Sequence, residues 1–270
     1  MKKTIFIILS LILFSGACTK NFEEANTNPY QISDESLKQD FNFIGAYFPT
    51  MLFNLFGDQI EEDLIHDSYV RISGCPTPFV GNVNCTTYYM TWGGANAFWN
   101  RIYNNVMAPA RQVIKLAEEG GYEVFAAWAK LIRLIGASKL TSYVGPIIYS
   151  DYGSTAETVN YDSEQQLYNE WFTELDEILT VFKANTDYQG SKRFDASYSG
   201  DINKWIKVVN SMRLRLAIRI SKADPALAKT QGEKAIADAG GLILANYLSH
   251  RIKWIREDRV LKIKDLSLKL

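Results

Sequence analysis

Acidic side chains and one histidine are concentrated between residues 58 and 67 of the sequence. Glu62 precedes His66 by four residues, and Asp63 precedes it by three. On a helix, either spacing places a carboxylate and an imidazole on the same face, where they could bind a transition metal. A di-metal helical bundle needs a second such pair, and the only other histidine is His250. We interpret the stretch as a solvated acidic helix face without a metal, formed by Asp58, Glu61, Glu62, Asp63, His66 and Asp67.

The sequence lacks the motifs of the common enzyme classes. It contains no H-E-x-x-H, no G-x-S-x-G and no glycine-rich phosphate loop. We therefore expect a protein that is not an enzyme and has no cofactor. An exported glycan hydrolase that uses two carboxylates across a cleft is the alternative from the enzyme class.

A segment without helical periodicity, from Ser68 to Gly94, is the main candidate for a binding region. Its Gly, Pro and Asn residues predict a loop of about 20 residues, and such loops in compact proteins are usually functional or disordered. Cys75 and Cys85 lie inside it and are a candidate disulfide in an oxidising, exported setting. A disulfide there would stabilise the ordered loop by about 2–3 kcal/mol.

The same loop is rich in aromatic residues. A pyranose has an apolar C–H face and a rim of hydroxyl groups, which flat rings beside Asn and Thr side chains can bind. We therefore predict ligand binding, to a sugar or a peptide, at Phe79, Tyr88, Tyr89 and Trp92. The alternative is that these rings only hold the loop on the helices beneath it.

The first residues have the pattern of an export signal. Lys2 and Lys3 precede an apolar run of ten residues, Ile5 to Phe14, which is too short to cross a bilayer that needs about 20 helical residues. Small residues follow directly before Cys18, as in the bacterial lipobox. That resemblance implies a signal peptide at 1–17 and lipidation of Cys18 with acyl chains such as palmitate, which would tether the protein to a membrane through an extended segment, 18–32.

Charge is unevenly distributed along the 270 residues, whose net charge is only -1. Phe22 to Asp67 holds ten acids and one lysine, whereas Lys204 to Lys222 holds six basic residues and no acid. We expect these two segments to compensate one another. Together with the export signal, this distribution disfavours nucleic acid as a partner.

Helices must position the loop and its rings. Apolar residues at three- and four-residue steps from Trp205 predict one helix, and Asp224-Pro225 and Gly240-Gly241 predict the start and stop of a second. Residues 95–119 and 122–140 form a similar predicted pair around Gly120-Gly121. A capping box, Ser163-x-x-Gln166, predicts a further amphipathic helix. The predicted fold class is all-α, built of helical hairpins with long loops.

Several of these segments resemble the SusD/RagB family. The resemblance rests on N-x-x-W-x-K-x-x-N-S-x-R-L-R-L-A-x-R-I-S followed by D-P-A-x-A and G-G-L-I, on Trp99-x-x-x-Tyr103, and on Thr141, Gly145, Ile148, Tyr149 and Ser150 of one loop. It covers about Asn21 to Ile243. Ser142 stands where the family pattern has Asp. The resemblance implies tetratricopeptide-like helix pairs in a domain at 33–244.

The family resemblance also implies a function. SusD-like proteins are lipid-anchored at the outer-membrane surface and capture oligosaccharides, or sometimes peptides, for a SusC-type TonB-dependent transporter. Relatives continue beyond the point where the resemblance stops, so we expect an incomplete SusD-like fold, with 245–270 as an anomalous tail at a truncated or frameshifted end. The alternative for the tail is an amphipathic helix. A helical adaptor that binds only protein is the remaining alternative for the whole chain.

Overall fold

The computed structural model describes residues 38–57, 66–72 and 92–243, without the side chains of residues 92–95. Apart from one isolated bridge, these residues contain no β-structure, which confirms the all-α prediction. None of the helices in this part of the chain is both long and apolar enough to cross a membrane.

The chain divides into two units, Met1–Phe43 and Ile44–Leu270. A 3-10 turn, Gln39–Phe41, belongs to the first unit. The second unit contains the helices that concern us, besides single turns such as Asp67–Tyr69. They are α1 (Phe48–Asn54), α2 (Trp92–Ile102), α3 (Ala108–Gly120), α4 (Glu123–Val144), α5 (Glu164–Ala184), α6 (Ile202–Arg219) and α7 (Pro225–Ala237).

A π-helical segment, Tyr103–Met107, joins α2 to α3 without a break in the chain direction. Two residues after it comes Pro109, the second residue of α3, which has no N–H to donate and whose ring would clash with the carbonyl four residues earlier in a regular helix. The wider π turn removes that conflict, since Ala108 N donates to Tyr103 O instead. The segment lies directly beneath the candidate site described below.

Helical hairpins form as the sequence predicts. Between α3 and α4, Gly121 adopts a left-handed conformation (φ 74°), which allows the tight reversal. Asp201 caps α6 by accepting from Lys204 N, and Asp224 caps α7 by accepting from Leu227 N. Each helix from α3 to α7 packs on the next one along the chain. This serial packing is the tetratricopeptide-like arrangement expected from the family resemblance.

Aromatic rings hold the core between the hairpins. Phe48 stacks on Trp128 with ring centroids 3.8 Å apart, and Trp128 meets the edge of Trp205 at 5.5 Å. Trp171 and Phe182 of α5 are completely buried. Most of the aromatic content of the described residues therefore serves packing, and only a few rings remain at the surface.

Three helix boundaries differ from the sequence prediction. The predicted loop to Gly94 is wrong at its end, because α2 already begins at Trp92 and includes both glycines. The helix α4 continues to Val144 and stops at Gly145 (φ 79°). The helix α7 ends at Ala237, before the glycine pair, because Asp238 leaves the helical conformation and its carboxylate accepts from Asn210 and Gly240 N.

Candidate ligand-binding surface

One carboxylate organises the connection between α4 and α5. Asp162 Oδ2 accepts from the backbone N–H groups of Tyr149 and Ser150 at 2.7 and 3.0 Å. Its own N–H donates to Ile147 O at 2.8 Å, which makes the isolated antiparallel bridge. The loop that carries the family-like residues is thus folded back on itself and fixed at its centre.

A buried polar network fixes the same loop to the helices. Tyr149 is fully buried, and its hydroxyl donates to Glu174 Oε2 at 2.5 Å. Arg133 forms an ion pair with Glu174 and lies over the Tyr149 ring, 4.4 Å from its centroid. Burial raises the pKa of Tyr149 well above its usual range, and the charge of Glu174 raises it further. The hydroxyl therefore stays protonated and remains a donor.

The π-helical segment supplies the second attachment of the loop. The hydroxyl of Tyr103 donates to Ile148 O and accepts from Ile148 N, both at 2.9 Å. Burial raises the pKa of Tyr103, so this hydroxyl also keeps its proton. Arg111 of α3 donates to Gly153 O at 2.7 Å, and Gly153 has a φ of 81° that few other residues adopt.

Four rings meet where this loop covers the π-helical segment. Trp99 stacks on Tyr103, with centroids 4.6 Å apart and an interplanar angle of 27°. Tyr161 lies 6.2 Å from Trp99, tilted by 53°, and Tyr152 lies 5.3 Å from Tyr103. We call Trp99, Tyr103, Tyr152 and Tyr161 the aromatic surface.

The members of the aromatic surface differ in exposure. Tyr161 is 58% exposed, Trp99 and Tyr152 are half-buried, and Tyr103 is almost completely covered. Tyr103 therefore supports the other three rings. Asn100 and Asn160, the sequence neighbours of Trp99 and Tyr161, are exposed. Exposed aromatic rings can bind the apolar C–H faces of a sugar.

Most residues predicted from the sequence as site residues fall outside the described part of the chain. These are the lipidation site Cys18, the candidate disulfide Cys75 and Cys85, and the loop residues Phe79, Tyr88 and Tyr89. Trp92 is the first residue of α2, and its side chain is not described. The ligand assignment of these four aromatic residues stays a prediction.

The acidic stretch with its histidine is described only from residue 66 onward. The ring of His66 packs on Tyr143, with centroids 4.5 Å apart. Within the described ranges no three metal-binding side chains come together.

Sequence reasoning did not assign the aromatic surface as a site. The i, i+4 spacing of Trp99 and Tyr103 was visible, but it indicates a helix face and not exposure. Tyr152 and Tyr161 lie on the loop that Asp162 folds back on itself and that Tyr103 attaches to the π-helical segment. No local pattern reports such a long-range contact.

Comparison with known proteins identifies the family. Residues 24–263 match the sequence model of the family described as SusD-like, SusD and RagB outer membrane lipoprotein. The match continues beyond Ile243, where the sequence analysis placed the end of the resemblance, so the range of matching residues is longer at that end. No curated protein matches the chain.

Solved structures of SusD homologues have the same fold. A chitin-binding SusD homologue from Flavobacterium johnsoniae is 33% identical, with a TM-score of 0.69, over 76% of this chain and 45% of its own. A chitin-binding protein is 30% identical over 75% of this chain and 44% of its own, with a TM-score of 0.64. A SusD-like protein from Bacteroides thetaiotaomicron is 27% identical over 74% and 42%, with a TM-score of 0.65.

The chain thus spans less than half of the length of the solved structures that it matches. The matched family model, the serial helix packing and the shared fold nevertheless agree with one another. The chain belongs to the SusD/RagB family of outer membrane lipoproteins.

Proposed function

We propose that this protein is a glycan-binding component of the outer-membrane surface that captures oligosaccharides for import. Family membership supports a nutrient-binding lipoprotein, not an enzyme. The observation that carries the proposal is the aromatic surface, in which an exposed ring, Tyr161, and a half-buried ring, Trp99, are held on a fixed base.

The rigidity of that base matters for binding. Tyr103 is buried, and its hydroxyl both donates and accepts a hydrogen bond. The loop beside it is fixed through Tyr149 and Asp162. Rings that are already in place lose little conformational entropy when a ligand binds. The surface can therefore bind a flat, weakly polar ligand without first being ordered by it.

The helix α2 offers a way to extend the surface. Trp92 and Trp99 are seven residues apart on one helix, which corresponds to about 10.5 Å along its axis. The loop that precedes Trp92 carries Phe79, Tyr88 and Tyr89. We propose that these residues add further subsites, so that a chain of several sugar units binds along α2.

The proposed ligand class follows from the relatives. Two similar structures, at 33% and 30% identity, are described as chitin-binding. An N-acetylated, uncharged β-linked glycan has the apolar sugar faces that stack on rings and the amide groups that asparagine can recognise. A chitin-type oligosaccharide is therefore the first ligand to test, ahead of a peptide.

Anchoring and delivery belong to the same proposal. Processing before Cys18 and acylation of that residue would hold the mature chain at the outer membrane through the 18–32 tether. A SusC-type TonB-dependent transporter is the proposed recipient of the ligand. Within this scheme the protein binds its ligand and leaves it chemically unchanged.

Calorimetry with chito-oligosaccharides of increasing length tests the proposal. We expect binding by the full chain, weakened by about tenfold in Trp99→Ala and in Tyr161→Ala, because about 1.4 kcal/mol corresponds to a factor of ten and one lost stacking ring contributes on that order. Affinity should rise with the length of the oligosaccharide until all subsites along the aromatic surface and α2 are occupied.

Phe53→Ala is the matched control, because Phe53 is 75% exposed and lies outside the aromatic surface. Equal affinity in all three variants would overturn the assignment of the surface. Release of shorter sugars during the titration would instead support the hydrolase alternative, and capture of peptides but no glycan would redirect the ligand class.

A further inference from the structure

A groove unrelated to the aromatic surface lies between α3, α4 and α5. Its volume is about 350 Å³, and its floor consists of small and aliphatic side chains, among them Ala117, Ala126, Ala127, Ile178 and Val181. The small size of the alanines leaves the space open. A floor of this composition favours an apolar group as occupant.

The rim of the groove is acidic. It carries Glu118, Glu123 and Glu177 against one base, Lys130. Lys130 lies 3.7 Å from Glu177, and Glu123 accepts from Asn185 at 2.9 Å, so these two carboxylates have partners. Glu118 is exposed and has no hydrogen bond or ion pair with another described residue. The complementary occupant is therefore a basic segment that also has apolar side chains.

The chain itself contains such a segment directly after the described residues. Residues 244–270 include seven lysines and arginines against three acids between Arg251 and Leu270, interspersed with Ile, Leu, Val and Trp. This segment and the groove carry opposite charge.

The described chain ends against α6 and the end of α5, and α5 is one of the three helices that line the groove. Ile243 N donates to Ser211 on α6, and Asp238 pairs with Lys183 at 2.5 Å, near the end of α5. Lys183 is only two residues from Val181 of the groove floor. A helix is about 10–12 Å across, and an extended residue covers about 3.3 Å, so about five residues suffice to pass from one side of α5 to the other.

We propose that the groove between α3, α4 and α5 is an intramolecular docking site for residues 244–270, with basic side chains of the segment at the acidic rim and apolar side chains on the alanine floor. The proposal does not depend on glycan binding. It assigns the segment a place on the helical domain, where it would cover apolar surface of α4 and α5.

Site-directed photo-crosslinking in the full chain tests the docking. A benzoylphenylalanine at Ala126, and separately at Val181, should on illumination give an intramolecular crosslink, and mass spectrometry should place it within 244–270. The same probe at Thr173, an exposed residue of α5 outside the groove, should not crosslink to that segment.

Charge variants make the test specific. Glu118→Lys should lower the crosslink yield roughly threefold, the effect expected for one partly exposed ion pair. Glu119→Lys is the control, because Glu119 is the next residue, lies outside the groove and already pairs with Lys115. Crosslinks from both groove positions to another chain, to other segments only, or to nothing would overturn the proposal, as would equal yields in the two charge variants.

Discussion

In the loop beside the aromatic surface, the hydroxyl of Ser150 lies between two carboxyl groups. Ser150 Oγ lies 2.8 Å from Asp162 Oδ1 and 2.7 Å from Glu170 Oε2. A hydroxyl has only one proton to donate, so two charged carboxylates cannot both be satisfied by it. Burial raises the pKa of Glu170, which Ser150 partly opposes. When Glu170 is protonated, it can donate to Ser150 while Ser150 donates to Asp162, and the raised pKa extends the pH range in which this form exists.

This arrangement predicts how Glu170→Gln changes stability with pH. A carboxyl with a raised pKa stabilises the fold below its unfolded pKa of about 4.3 and loses that contribution as pH rises through its folded value. The glutamine amide keeps a donor at every pH. The variant should therefore have a higher melting temperature than the parent at pH 7, and the difference should vanish below about pH 4.

Thermal unfolding between pH 3 and 8 is the measurement. Glu119→Gln serves as control, because the Glu119 side chain is 63% exposed in a surface pair with Lys115 and should give no such trend. A stability difference for Glu170→Gln that is the same at every pH would contradict the proposed hydrogen bond from protonated Glu170 to Ser150.

At the scale of helices, one buried arginine joins three of them. Arg213 of α6 is 1% exposed and donates to Asp176 of α5 at 2.6 Å and to Gln231 of α7 at 2.6 Å. Lys234 of α7 reaches the same aspartate at 2.7 Å. The basic face of α6 is thus not simply a solvated flank, because one of its charges is inside the helix packing. Such a pair ties the hairpin of α6 and α7 to α5.

We expect Arg213→Met to destabilise the protein by about 3 kcal/mol, at the low end for a broken buried ion pair because Asp176 remains partly exposed and keeps Lys234. Urea unfolding of the full chain gives this value. Arg219→Met is the control, since Arg219 is exposed and makes one hydrogen bond, to Tyr168. Similar losses in both variants would show that Arg213 contributes no more than a surface arginine.

For the molecule as a whole, serial packing implies graded stability along the second unit. The helix α4 contacts α3 on one side and α5 on the other, and it buries thirteen residues, including Trp128 and Leu131. The helix α7 buries only Ala228 and Ala235. In a serial array, an element with little buried surface opens before one that is packed on both sides.

Native-state hydrogen exchange should resolve this gradient. Amides of α4 should exchange most slowly among the long helices, and those of α7 faster by at least about tenfold, which corresponds to ~1.4 kcal/mol of opening free energy. Rates must be corrected for the intrinsic exchange of each amide. Equal protection of α4 and α7 would indicate that the unit opens as a single cooperative block.

The sequence by itself determined the helical class, the hairpins and the family. Helix periodicity, the capping box at Ser163 and the caps at Asp201 and Asp224 are local signals, and the structure reproduces all of them. These features depend on residues within a few positions of one another, which a sequence displays directly.

Tertiary structure decided which residues share a surface. Asp162 brings Tyr161 to Trp99, Arg213 is buried although its neighbours Arg215 and Arg219 are exposed, and α2 begins inside a segment whose glycines predicted a loop. Each of these outcomes depends on contacts between residues far apart in the chain. Packing energy at such contacts exceeds the local preferences of about 1 kcal/mol per residue that sequence patterns express.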